Sequence, residues 1–159
     1  MIWEELDKNM IVTGLEAETY QDVMKQLGGI VIREGYAKET YIDALIEREG
    51  EFPTGLDIDG YGVAIPHTNP THINKVGTAI AILKKPVTFI EMGTDDDEVQ
   101  VRIVFMLAVK DPNAHIDSLQ RIIGMLQDTA LLERLLQATD ADAIIQMIRD
   151  KEADMDACA

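Results

Sequence analysis

The chain has 159 residues, 47% of them hydrophobic and 27% charged, a composition that suits a packed globular domain and argues against a disordered or fibrous one. Fourteen Lys and Arg against 29 Asp and Glu leave a formal net charge of −15. The average surface therefore repels phosphate backbones and anionic headgroups, so no nucleic-acid partner is expected.

In chain order, the short run Asn9-Met-Ile-Val-Thr13, stopping at Gly14, predicts a first strand. Tyr20, Val23, Met24, Leu27 and Val31 recur at three and four, which predicts a helix across 16–34 with one buried face. Gly28-Gly29 inside it marks close helix packing, since a mid-helix glycine costs about 1 kcal/mol against alanine. A second helix is expected over 38–48, with Tyr41, Ile42, Leu45 and Ile46 inward and Gly50 and Pro53 ending it. Residues 50–62, rich in Gly, Pro and Asp, read as a long irregular loop, a type of segment that is usually functional.

Val63-Ala-Ile65 predicts a brief buried strand stopping at Pro66, and Lys75 to Leu83 a longer one, with Val87 to Ile90 continuing it or turning back. Asp95 to Glu98 reads as a solvated turn, lacking the residues of a calcium loop. Val99 to Val109 alternates first and is then continuously apolar, as a strand does on entering a sheet covered on both faces. Three apolar stripes follow: Ile116 to Leu126, Leu131 to Leu136, and Ala141 to Ile148, the last opened by Asp140 as N-cap. The fold expected is α/β, one layered domain over 1–159 with a mixed sheet, helices on both faces and a frayed tail of about eight residues.

The longest apolar run, Ile103 to Val109, is far short of the roughly 20 residues that span a bilayer. The start of the chain is acidic and has no apolar signal core, so no direct membrane insertion is expected and the cytoplasm is the expected compartment. Cys158, the one cysteine, reads as a tail thiol.

Of the three histidines, His67 directly follows a buried strand and Pro66, where strand ends of α/β sheets present reactive groups. An imidazole of ordinary pKa, near 6.5, is roughly 90% neutral at pH 7.5, so one ring nitrogen keeps a lone pair. Spacing alone leaves open whether His67 is a nucleophile or a hydrogen-bonding group. Serine and cysteine hydrolase schemes lack their parts, phosphate-loop and dinucleotide fingerprints are missing, and His67 and His72 do not have the spacing of two metal ligands on one helical face. His72 reads as a surface residue.

Gly62-Val-Ala-Ile-Pro-His67-Thr, preceded by Arg48-Glu49 and Thr54-Gly55 and followed by Phe105-Met-Leu-Ala and by His115 with Leu119 one turn on, resembles the enzyme IIA domains of the fructose/mannitol type in the phosphoenolpyruvate-dependent sugar phosphotransferase system. Phe52-Pro-Thr-Gly-Leu56, Pro86-Val-Thr-Phe89, Met92-Gly93 and Leu119-Gln120 are most similar to the galactitol branch. The resemblance implies a single enzyme IIA type-2 domain in which His67 takes a phosphoryl group from the histidine-containing phosphocarrier protein and passes it to a cysteine of enzyme IIB. It also implies a site of His67, His115, Arg48 and Thr54, no metal or organic cofactor, and enzyme IIB and membrane enzyme IIC as separate chains. By themselves Arg48 reads as a cation complementing a helix C-terminus and His115 as a surface residue opening a helix. A second reading keeps the same His67 chemistry in a regulatory, nitrogen-type enzyme IIA whose phosphorylation state controls protein partners.

Overall fold

The computed structural model describes residues 1–157, with the side chains of Pro112, Ala114 and His115 outside that description. A 3-10 turn at Ile2–Glu5 leads into β1 (Leu6–Leu15), followed by α1 (Tyr20–Arg33), α2 (Tyr41–Glu51), β2 (Gly55–Ile58), β3 (Tyr61–Ala64), β4 (Gly77–Ile90), β5 (Glu98–Ala108), α3 (Pro112–Leu126), α4 (Thr129–Gln137) and α5 (Ala141–Ala157). The five strands form one mixed sheet in the order β1-β4-β5-β3-β2. β1 and β4 run parallel, β4 and β5 antiparallel, β3 parallel to β5, and β2 antiparallel to β3.

Period-two alternation divides the core between the two faces of this sheet. On one face Val101, Val104, Met106 and Phe89 meet Val23, Met24, Leu27, Tyr41 and Leu45 of α1 and α2. On the other Ile103, Phe105, Leu107, Ile80 and Ile82 meet Ile122, Met125, Leu131, Leu135, Ile144 and Ile148 of α3, α4 and α5. The α/β architecture with helices on both faces is therefore the one the sequence pattern implies, and β5 lies at its centre. Close packing of α1 on α2 accounts for Gly28, where a Cβ would stand 3.1 Å from Ile42 Cγ1 and 3.4 Å from Leu45 Cδ1; Gly29 has open space. Asp140 caps α5 by accepting from the backbone N–H of Ala143 at 2.8 Å.

The largest difference from the sequence reading is at 50–62. Instead of an irregular loop, the chain runs helix to Glu51 and then folds into the β2–β3 hairpin. Ile58 pairs with Tyr61, leaving Asp59-Gly60 as a two-residue turn with φ of 50° and 91°. Positive φ at both positions is what an Asp-Gly hairpin turn requires. Gly50 thus sits inside α2 rather than ending it, because Tyr41 to Glu51 keeps its helical hydrogen bonding up to Phe52, whose N–H donates to Arg48 O at 2.7 Å.

β4 continues through Pro86 because a bulge between Ile82 and Val87 releases the ladder where proline has no N–H, and Arg102 Nε donates to Leu83 O at 3.1 Å within it. At the C-terminus α5 is helical as far as Ala157, so the stretch expected to fray is ordered helix there. The fully buried Glu152 holds it, accepting from the N–H groups of Ile2 and Trp3 and from Arg121 Nε. Cys158 lies outside the described residues.

Gly62 is the most tightly enclosed of the sheet's glycines: a Cβ there would fall 1.7 Å from Gln100 O of β5. Backbone on backbone cannot relax by side-chain rotation. Gly62→Ala should therefore cost at least about 2 kcal/mol in equilibrium urea unfolding, the scale of an overpacked core site; a loss below about 0.5 kcal/mol would show that β3 moves away from β5 freely.

Candidate functional site

β3 pairs with β5 through Val63 with Ile103 and Ala64 with Val104, and the chain then leaves the ladder as Ile65-Pro66-His67. Leu107 N–H donates to Pro66 O at 2.9 Å, extending the attachment to β5 by one bond. Beneath it Tyr41, fully buried at the start of α2, donates its hydroxyl to Leu107 O at 3.0 Å. His67 is half-buried at the end of this anchored segment. Its Nδ1 lies 2.9 Å from Ile65 O. A carbonyl oxygen only accepts, so Nδ1 carries the proton and donates. In the neutral ring this puts the in-plane lone pair on Nε2.

Thr54, which precedes β2, faces Ile65 across the hairpin one step beyond the last ladder pair, Gly55 with Ala64. Its hydroxyl oxygen accepts from Ile65 N–H at 3.2 Å and its hydroxyl proton goes to Glu49 Oε1 at 2.8 Å, while its backbone N–H donates to Glu49 Oε2 at 2.7 Å. Thr54 is 2% exposed and Glu49 5%. Burial pushes the Glu49 carboxyl up to about 7, and the two hydrogen bonds from Thr54 offset only part of that rise.

Sequence reasoning quoted Glu49 only as a neighbour of Arg48 and assigned it no role. Within Glu47-Arg48-Glu49-Gly50-Glu51 it looks solvated, and the only cue to its burial was its place at the i+4 position from the inward Leu45. Arg48 is exposed on the last turn of α2, its guanidinium 4.2 Å over the ring of Phe52, itself 56% exposed. His115 falls in the first turn of α3, which Asp111 caps by accepting from Asn113 N–H at 2.9 Å; its side chain lies outside the described residues. His72 sits in a 3-10 turn at Pro70–His72, its Nδ1 2.8 Å from Thr40 Oγ1. Among the described residues no group of three or more His, Cys, Asp and Glu is arranged to hold a metal ion, and no helix is long and apolar enough to cross a membrane.

A histidine whose Nδ1 is tied to a backbone carbonyl at a strand end of an open α/β sheet is a candidate for chemistry at its other ring nitrogen. The kind of group transferred follows from likeness to known proteins. The family model described as phosphoenolpyruvate-dependent sugar phosphotransferase system, EIIA 2, matches residues 4–151, and the chain belongs to that family. It is 31% identical over 126 residues to the galactitol-specific EIIA component of Escherichia coli K12, covering 78% of this chain and 82% of that protein. It is 26% identical over 151 residues to the mannitol-specific enzyme IIA component of Staphylococcus aureus MRSA252, covering 94% and 99%. In fold it matches the complex of mannitol enzyme IIA with phosphorylated enzyme IIB from Escherichia coli, with a TM-score of 0.76 at 23% identity over 91% of this chain and 96% of that one. The chain is thus a phosphotransferase component of the enzyme IIA kind, a carrier of phosphoryl groups.

The Glu49 carboxyl ordinarily titrates at 4.5 and in the folded chain at about 7. Between those values the folded state holds the proton more tightly than the unfolded one, so this group's contribution to stability falls as pH rises from 4.5 to about 7 and its full cost is present above that. Glu49→Gln lacks the titration. The stability difference, Gln minus wild type, should grow in favour of Gln by something on the order of 2 kcal/mol between pH 5 and pH 8 in urea unfolding; a difference that does not change with pH would place the Glu49 carboxyl in a solvated, unshifted setting.

Proposed function

We propose that His67 Nε2 accepts a phosphoryl group from the histidine-containing phosphocarrier protein and passes it to a cysteine of a separate enzyme IIB, for uptake of galactitol or a related polyol through a membrane enzyme IIC. The observation that carries this reading is the Nδ1 hydrogen bond to Ile65 O, which leaves Nε2 as the ring nitrogen with a lone pair to attack phosphorus. In the first half-reaction a bond forms from His67 Nε2 to phosphorus as the bond from phosphorus to the donor's histidine nitrogen breaks, its electron pair returning to that ring. In the second, a thiolate of enzyme IIB takes the phosphorus and the pair returns to His67. Each step conserves the phosphoryl group and needs no redox partner, metal or organic cofactor.

Transfer of this kind asks for in-line positioning and for charge stabilisation on the equatorial oxygens. We assign Arg48, exposed at the end of α2, to those oxygens through its planar fork of donors, and His115, on the first turn of α3, to a steadying N–H. Thr54 has its hydroxyl engaged by Glu49 and Ile65, and we assign it to the shape of the site. The 31% identity to a galactitol-specific component favours transport over the regulatory reading, and the reaction is assigned to the cytoplasm, where phosphocarrier and thiolate are met.

Incubation with phosphoenolpyruvate, enzyme I and the phosphocarrier protein should give one acid-labile, alkali-stable phosphate per chain, none in His67→Ala. The label should move to a galactitol-type enzyme IIB far faster than to water. Label that survives His67→Ala would remove the assignment, and a phosphoprotein stable in the presence of such enzymes IIB would favour the regulatory alternative.

A further inference from the structure

Ile65 and Pro66, the two residues that lead to His67, have few backbone groups to hold them. Pro66 has no N–H, its carbonyl accepts from Leu107, and the Ile65 carbonyl accepts from His67 itself. The remaining group is the Ile65 N–H, which points across the hairpin where a further ladder bond would lie. At that position Thr54 offers its side-chain oxygen, because its own N–H is turned to Glu49. Every element of the link from α2 to the imidazole is therefore a short, oriented contact: Glu49 to Thr54 at 2.7 and 2.8 Å, Thr54 to Ile65 at 3.2 Å, and Ile65 to His67 at 2.9 Å.

A carboxylate is well suited to this place. Ionised above its titration at about 7, it can only accept, so it fixes the direction of the Thr54 hydroxyl: the hydrogen goes to Glu49 and the lone pairs face Ile65 N–H. An apolar residue at 49 would fill the space with no desolvation cost but would leave Thr54 N–H unpaired and its hydroxyl free to turn its hydrogen toward Ile65. A buried carboxyl kept despite that cost, in a contact chain that ends on a nucleophile, is the pattern of a group retained for function.

We propose that Glu49 is the positioning residue of the site: through Thr54 it holds Ile65 so that the Ile65 carbonyl accepts the hydrogen bond from His67 Nδ1–H and keeps the lone pair on Nε2. The inference rests on His67 being the phosphoryl acceptor, and it adds to the site a residue that touches neither the phosphoryl group nor a partner. It also makes Thr54 the intermediary between Glu49 and the His67 backbone segment.

The test uses the full chain labelled with 15N, reading the two ring nitrogens of His67 at pH 8 by long-range proton–nitrogen correlation, together with steady-state phosphorylation by the phosphocarrier protein. In the wild type the ring should be held in one tautomer with the proton on Nδ1. Glu49→Ala should give a mixture of tautomers and lower kcat by about tenfold or more, with KM for the phosphocarrier changed less than about twofold, as expected when orientation rather than docking is lost. Glu49→Gln keeps the shape and accepts from Thr54 N–H, but its amide N–H faces Thr54 Oγ1 and deprives the hydroxyl hydrogen of its acceptor, so it should fall between wild type and Glu49→Ala in both tautomer and rate.

Thr54→Val, which removes only the hydroxyl, should reproduce the tautomer mixture even if Glu49→Ala fails to fold. A single Nδ1–H tautomer in both Glu49→Ala and Thr54→Val overturns the proposal, as does a Glu49→Gln variant more impaired than Glu49→Ala. Failure of the wild type to be phosphorylated would instead defeat the functional reading, and the tautomer comparison would still stand, so the two failures are distinguishable.

Discussion

The pairing of β3 with the central strand β5 is the constraint on which the site depends. Gly62 lies so close to Gln100 that only a hydrogen in place of a side chain lets the two backbones meet, and two ladder pairs later the chain leaves the sheet at Ile65. Because β5 is packed on both faces, against α1 and α2 on one and the C-terminal helices on the other, the point from which His67 projects is among the least deformable in the molecule. In the proposed role of His67, presenting one nitrogen to successive partners, such a base is an advantage, since misplacement by an ångström removes much of the benefit of a preformed site. The glycine and the histidine of the Gly62-to-His67 segment are thus two ends of one device: close approach at the first, projection at the second.

Around that base the hydrogen bonding is local and directional. The imidazole Nδ1–H donates to the carbonyl two residues back in the chain, so backbone geometry holds the tautomer. Glu49 is instead removed from the ring by two contacts, Thr54 and Ile65, and its buried carboxyl acts on backbone position. Arg48, exposed at the end of α2, carries the sign opposite to that of the dianionic phosphoryl group proposed for His67.

Much of this was legible in the sequence, and the parts that were not share a cause. The layered α/β fold followed from periodicities that switch between two and 3.6, and His67 from its place after Val63-Ala-Ile-Pro66 within a family signature. The β2–β3 hairpin was misread because Gly, Pro and Asp crowd residues 50–62, and the Asp59-Gly60 turn signal was submerged in that composition although the turn needs those two residue types. Glu49 escaped for a different reason: its burial is made by Thr54, which comes after the helix that carries it, so no property of α2 alone shows it. Glu152 is hidden in the same way, between the start of the chain and Arg121 on another helix.

The central claim is that the lone pair of His67 lies on Nε2 because Nδ1 keeps its proton to donate to Ile65 O. The most direct measurement is the one-bond coupling between 31P and a ring 15N in the phosphorylated, 15N-histidine-labelled chain. Coupling of the phosphorus to Nε2 of His67, with Nδ1 still protonated, is the expected result. Coupling to Nδ1 would require the hydrogen bond to Ile65 to break before transfer and would contradict the mechanism built on it.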